Sequence, residues 1–107
     1  MSEEWSQWLD FDKANIASVP ESAGVFVMHA NMKMLYIGGS RNIRLGLIEQ
    51  HSNECSSKAK RFRYMLTPSP DGVRASLLKD YAEKHQGKMP ICNDNWYQER
   101  GDSDEDP

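Results

Sequence analysis

The sequence predicts a domain of the α/β (α+β) class, a small three-stranded antiparallel sheet flanked by helices. Two apolar runs, GVFVMHA at 24–30 and MLYIG at 34–38, are separated by a polar segment short enough to turn the chain straight back, which makes them a hairpin. A third run, RFRYML at 61–66, alternates Phe62, Tyr64 and Leu66 with Arg61, Arg63 and Met65, the pattern of a strand with one buried face. Helix-period stretches follow the hairpin and the third strand, so the order is hairpin, helix, strand, helix.

In SEEWSQWLDF, Trp5, Trp8 and Leu9 stand at i, i+3 and i+4, which predicts a short amphipathic helix or turn. It belongs to an N-terminal extension, residues 1–17, expected to pack on the domain body at 18–93. VPESAG, residues 19–24, is turn material. After the hairpin, Ser40 or Asn42 caps a helix running to about His51, with Ile43, Leu45, Leu47 and Ile48 available to the core. Residues 52–60 are polar and read as a loop. Ser69 and Pro70 suit the cap and first position of a second helix, in which Val73, Leu77 and Tyr81 recur every four residues; Gly87 offers its stop. The tail at 94–107 carries like charge and few apolar residues, the composition of a disordered acidic segment.

A chain of 107 residues with 38% apolar content builds one modest core. No run approaches the length of a membrane span. The first residues are acidic where a signal or transit peptide needs basic ones, so the cytoplasm or nucleus is the expected compartment. Cys55 and Cys92 form no CxxC and are expected as two buried or reduced thiols. The net charge of −3 hides an asymmetry. Residues 38–88 carry ten bases against five acids, a net +5, whereas 89–107 carry six acids against one base, a net −5. Such a basic block attracts a polyanion or is simply a solvated mixed surface. Gly38 and Gly39 most simply let a strand turn into a helix. A helix N-terminus there, with Gly38, Ser40 and Arg41 beside it, is also a candidate phosphate contact, although it matches no dinucleotide or Walker fingerprint.

The triplet GVF at 24–26, followed at hairpin spacing by LYIGGSRNIR at 35–44, resembles the paired motif of GIY-YIG nucleases. RFRYMLTPSP and LLKDYAEKHQGKMPICN resemble the later strand, helix and terminal asparagine of the same domain, as found in excision-repair and homing endonucleases. The resemblance covers residues 18–93. It implies metal-assisted cleavage of a DNA phosphodiester, in which two hairpin tyrosines, a basic residue on the first helix and a glutamate on the later helix surround one phosphate. A single magnesium or manganese ion held by the glutamate would neutralise developing charge.

Carried over position by position, the match divides. Tyr36 keeps the phenol of the second triplet, and Gly24 and Asn93 match structural positions, the asparagine bracing the active-site backbone. Phe26 keeps the ring of the first triplet without its hydroxyl. The arginine position of the first helix falls on Gly46; Arg44 is the candidate substitute, although positions two apart do not share a helix face, and His51 lies one position from a histidine used by some members. Arg74 stands where the metal-binding glutamate is expected, and a cation there holds a phosphate but no metal. Asp71, Asp80 and Glu83 are the candidate replacement carboxylates. Tyr36, Arg44 and His51 are thus the candidate catalytic residues, and Gly38, Ser40, Arg41 and Arg74 the candidate phosphate contacts, with no metal ligand named. The expectation is a catalytically impaired GIY-YIG-like domain that binds nucleic acid or a protein partner without cleavage and without a cofactor. The alternative is an active magnesium- or manganese-dependent DNA endonuclease with a relocated ligand.

Overall fold

The computed structural model describes residues 4–93, and the expected acidic tail lies outside the described residues. The elements are β1 (Leu9–Asp10), α1 (Lys13–Ala17), β2 (Gly24–Ala30), β3 (Lys33–Ser40), α2 (Ile43–His51), β4 (Arg61–Leu66) and α3 (Pro70–Lys84), with a single 3-10 turn at Ser56–Lys58. The sheet has the order β1-β4-β2-β3, and each neighbouring pair is antiparallel.

Four strands therefore stand where three were expected, and the added one comes from the stretch expected as a helical turn. Ser6 explains the change: its N–H donates to the Tyr64 carbonyl at 2.8 Å, and its Oγ accepts from the Tyr64 N–H. Pairing with the open edge of β4 satisfies backbone groups that a single helical turn would leave exposed. Trp5 and Trp8 then both lie against the Arg63 guanidinium, at 4.9 and 4.8 Å from its carbon.

The hairpin turns at Asn31 and Met32, both at positive φ, the tight geometry whose twist matches two antiparallel strands. A register shift after Met28 then pairs Met28 with Tyr36, Phe26 with Gly38 and Val27 with Ile37. Phe26, Met28 and Tyr36 consequently share one sheet face, where they join Ile16, Ile43, Leu47 and Phe62 in the main core beneath α1 and α2. Val27 and Ile37 point to the opposite face, towards Leu77 of α3. Lying between β1 and β2, β4 buries both faces. Phe62 and Met65 are buried whereas Leu66 is exposed, so the expected one-sided alternation does not hold.

Of the two proposed caps, Asn42 precedes α2 and accepts a hydrogen bond from the Leu45 N–H, while Ser40 Oγ bonds the backbone of Asn42. The buried stripe of α2 is Ile43, Gly46 and Leu47; Leu45 and Ile48, expected inside, are exposed. The cysteines also differ from expectation. Cys55 and Cys92 form a disulfide with Cα atoms 5.7 Å apart, because the loop after α2 and the turn following Pro90 meet beside the core. No helix among the described residues is long and apolar enough to cross a membrane.

Candidate functional site

A cleft of about 320 Å³ opens between β3 and α2, and its walls are Phe26, Tyr36 and Gly46. Three sequence-matched positions thus converge in space. Gly38 makes the convergence possible. A Cβ there would lie 2.6 Å from Phe26 Cζ and from Tyr36 Cε2, so the two rings close over a position that must lack a side chain. A Cβ on Gly46 would meet Phe26 Cε2 and Ser40 Cβ at 3.2 Å, so the Phe26 ring fills the space between hairpin and helix. Gly24 is fixed by another close approach, since a Cβ would lie 2.5 Å from the Met65 carbonyl oxygen.

The polar rim comes from residues that sequence reasoning did not single out. Glu49 and Gln50 follow Gly46 at i+3 and i+4, so they continue its helix face into the cleft, and Asn53 joins them from the turn after α2. That spacing was the available signal. Gln50 Oε1 accepts from Ser56 Oγ at 2.6 Å, and Asn53 Oδ1 accepts from the Cys55 and Ser56 N–H groups, which fixes both amides. Among the described residues no lysine, arginine or histidine lines this cleft, and Glu49 is its one carboxylate.

The expected cations go elsewhere. Arg44 Nε donates to the Val19 carbonyl at 2.8 Å and its guanidinium pairs with Glu21, tying α2 to the turn before β2. The His51 ring packs on Phe11. Arg41 is exposed in the β3–α2 connection. Arg74 lies behind Gly39, where its Nε donates to the Ile37 carbonyl at 3.1 Å. At the start of α2, the Ile43 N–H donates to Ser22 and the Leu45 N–H to Asn42, so two of its leading amides are engaged within the chain.

Asn93 holds the strand that carries Tyr36. Its Oδ1 accepts from the Ile37 N–H at 2.8 Å and its Nδ2 donates to the Ile37 carbonyl at 3.0 Å. As β3 is an edge strand, these bonds satisfy two buried backbone groups that no neighbouring strand reaches. Cys92, next in the chain, anchors the same turn through its disulfide.

A divalent metal of the magnesium type requires oxygen ligands, usually with one or two carboxylates. Glu49 stands alone in the cleft, and no three His, Cys, Asp or Glu side chains among the described residues are grouped to hold an ion. Asp80 lies in a second concavity on the other side of the sheet. The donor set in the cleft does not fit the metal that the resemblance implies.

The second concavity, of about 870 Å³, lies between α3 and the sheet face bearing Val27 and Ile37. His29 borders it with its ring 4.5 Å from that of Trp8, and burial, then the Arg63 charge, hold its pKa below the usual imidazole value.

No protein-family model matches the sequence, and no curated protein is a significant match. Solved structures do match. The GIY-YIG N-terminal endonuclease domain of UvrC from Thermotoga maritima, in two point-mutant forms bound to its catalytic divalent cation, superposes with a TM-score of 0.58 at 18% and 17% identity. The match covers 73% of this chain and 89% of that domain. The chain therefore has a GIY-YIG-like fold, a mixed α/β architecture on a four-stranded antiparallel sheet.

Proposed function

We propose that this is a nuclease-like domain that binds nucleic acid without cleaving it. Nucleic acid as the ligand is supported by the fold shared with an endonuclease domain, and the observation against cleavage is the cleft itself. Tyr36 remains there, but the position facing it on α2 is Gly46, the first-triplet ring is Phe26, and the rim adds a carboxylate and two amides in place of cations. Phosphodiester hydrolysis needs charge neutralised on the phosphoryl and leaving oxygens as it develops. A single phenol beside one carboxylate supplies neither an electrophile nor a grip on the phosphate. Glu49 opposes a phosphate by like charge.

A cleavage assay on plasmid and branched DNA, with magnesium and with manganese, tests this. The expected result is no nicking above buffer. Robust cutting that disappears in Tyr36→Phe would overturn the proposal, because it would make the phenol a working member of a catalytic site.

A further inference from the structure

The two concavities differ in charge. The Tyr36 cleft carries one acid and no base, whereas Lys33, Arg63, Lys84 and Lys88 surround the groove on the α3 side against the single acid Asp80. A polyanion is drawn by the summed field of a surface. By the charged side chains that line them among the described residues, the α3 groove is favoured over the cleft matching the nuclease site. We propose that the α3 groove is a binding site for single-stranded nucleic acid.

The groove supplies what such a ligand requires. Its floor is apolar, made by Val27, Met34 and Ile37, and its α3 wall continues with Leu77. On that wall the Tyr81 and His85 rings stack face to face, their centroids 3.8 Å apart and their planes 11° from parallel, and both line the groove as an aromatic stack that a base can extend. Across the groove stands Trp5 with the Arg63 guanidinium over its ring, and Arg63 Nε is buried without a hydrogen-bond partner among the described residues. Bases stack on aromatic faces whatever their sequence, while lysines along the rim meet the backbone; this combination is how sequence-tolerant single-strand sites work. A duplex keeps its bases paired and stacked inside, out of reach of an apolar floor, so the unpaired strand is the ligand that uses both halves of the surface. This deepens the proposed function and rests on it for the kind of ligand only; the groove shares no lining residue with the Tyr36 cleft.

The test is fluorescence anisotropy of the full chain with a labelled oligothymidylate of about a dozen nucleotides. If Lys33, Lys84 and Lys88 each neutralise one phosphate, the slope of log affinity against log salt is about −2, so binding weakens about twentyfold between roughly 50 and 200 mM salt. Lys84→Glu with Lys88→Glu, both exposed side chains, is expected to lower affinity at least about tenfold and flatten that slope. Lys13→Glu with Lys58→Glu makes the same change of net charge outside the groove and is expected to shift affinity less than about threefold. Tyr81→Ala removes one ring of the stack and is expected to cost about tenfold. Equal losses in the two charge-reversed pairs, or a duplex of the same length bound as tightly as the single strand, would overturn the proposal. So would the absence of binding at low salt. Binding of an acidic, tyrosine-containing peptide that depends on Lys84 and Lys88 while the oligonucleotide does not bind would replace nucleic acid with an acidic protein segment. Cleavage with magnesium sinks the non-cleaving reading and leaves the groove standing; indifference to the Lys84 and Lys88 changes does the reverse.

Discussion

Asn93→Ala removes the clamp on the Tyr36 strand, and the structure sets the size of the loss. Asn93 is 3% exposed, and both of its side-chain hydrogen bonds go to Ile37, itself buried. The Ile37 carbonyl keeps the bond from Arg74 Nε, so its loss is partial. Among the bonds described, the Ile37 N–H has Asn93 Oδ1 as its acceptor, and alanine supplies none. A net hydrogen bond is worth about 1 kcal/mol and an orphaned buried donor about 1–3 kcal/mol, which puts the whole change at about 2–4 kcal/mol. Against a total stability of about 5–15 kcal/mol that is a large fraction, and at about 4–8 °C per kcal/mol it lowers Tm by roughly 8–32 °C. Urea unfolding followed by tryptophan fluorescence gives the free energy, and amide exchange gives the site, since Ile37 should lose protection before the centre of β2. Asn93→Asp sharpens the test. It keeps an acceptor for the Ile37 N–H but turns a second oxygen towards the Ile37 carbonyl, so part of its deficit relative to the parent should be recovered when acidification restores a donor. A loss under about 0.5 kcal/mol in Asn93→Ala would refute the reasoning, because the turn would then be held by its packing and the disulfide alone.

Two further outcomes follow from the same geometry. Cys55→Ser opens a link between residues 37 apart, for which the chain-entropy relation gives about 4 kcal/mol and usual experience about 2–4 kcal/mol; a dithiol reductant should lower Tm of the parent by a similar amount and leave the variant unchanged. His29 makes stability depend on pH. Burial and then Arg63 depress its folded pKa below 6.5, so in the window just beneath that value the unfolded chain binds more protons than the folded one. Stability is therefore complete above the unfolded pKa and falls as pH drops through the folded one, a decline that should flatten in His29→Gln when Tm is measured from neutral to mildly acidic pH.

What could be seen in the sequence was local. The hairpin, α2, β4 and α3 announce themselves by period, cap and turn residues within a few positions of one another. The N-terminal strand does not. Trp5, Trp8 and Leu9 fit a helical stripe, and what decides against it is Tyr64 and Arg63, whose backbone and guanidinium lie more than fifty residues along the chain. The disulfide was hidden for the same reason, since nothing near Cys55 says that Cys92 will arrive there. In the cleft, Phe26, Tyr36 and Gly46 could be named from motif spacing, while the direction of Arg44 and His51 depends on how α2 is rotated about its axis. Only once Gly46 is fixed against the hairpin does helical spacing put Glu49 and Gln50 on the rim, and Asn53 reaches it through the turn after α2.

The positions that hold the fold and those that would do chemistry are under different physical constraints. Gly24 and Gly38 sit where a methyl group would strike a carbonyl or a ring, and Asn93 carries two buried hydrogen bonds, so changes there are resisted by the stability of the domain. A hydroxyl on the ring at 26 or a guanidinium at 46 supports nothing in this framework, and either can be absent without a structural penalty. The two are nevertheless coupled. Phe26 lies 3.2 Å from where a Cβ at 46 would stand, in the space between hairpin and helix, so a side chain on α2 at that position needs the ring to give by a few tenths of an ångström. Neighbours that share one space do not change independently. An arginine placed at 46 alone therefore presses on the Phe26 ring and on Ser40 Cβ, and its seating as a phosphate grip depends on how far those two neighbours give.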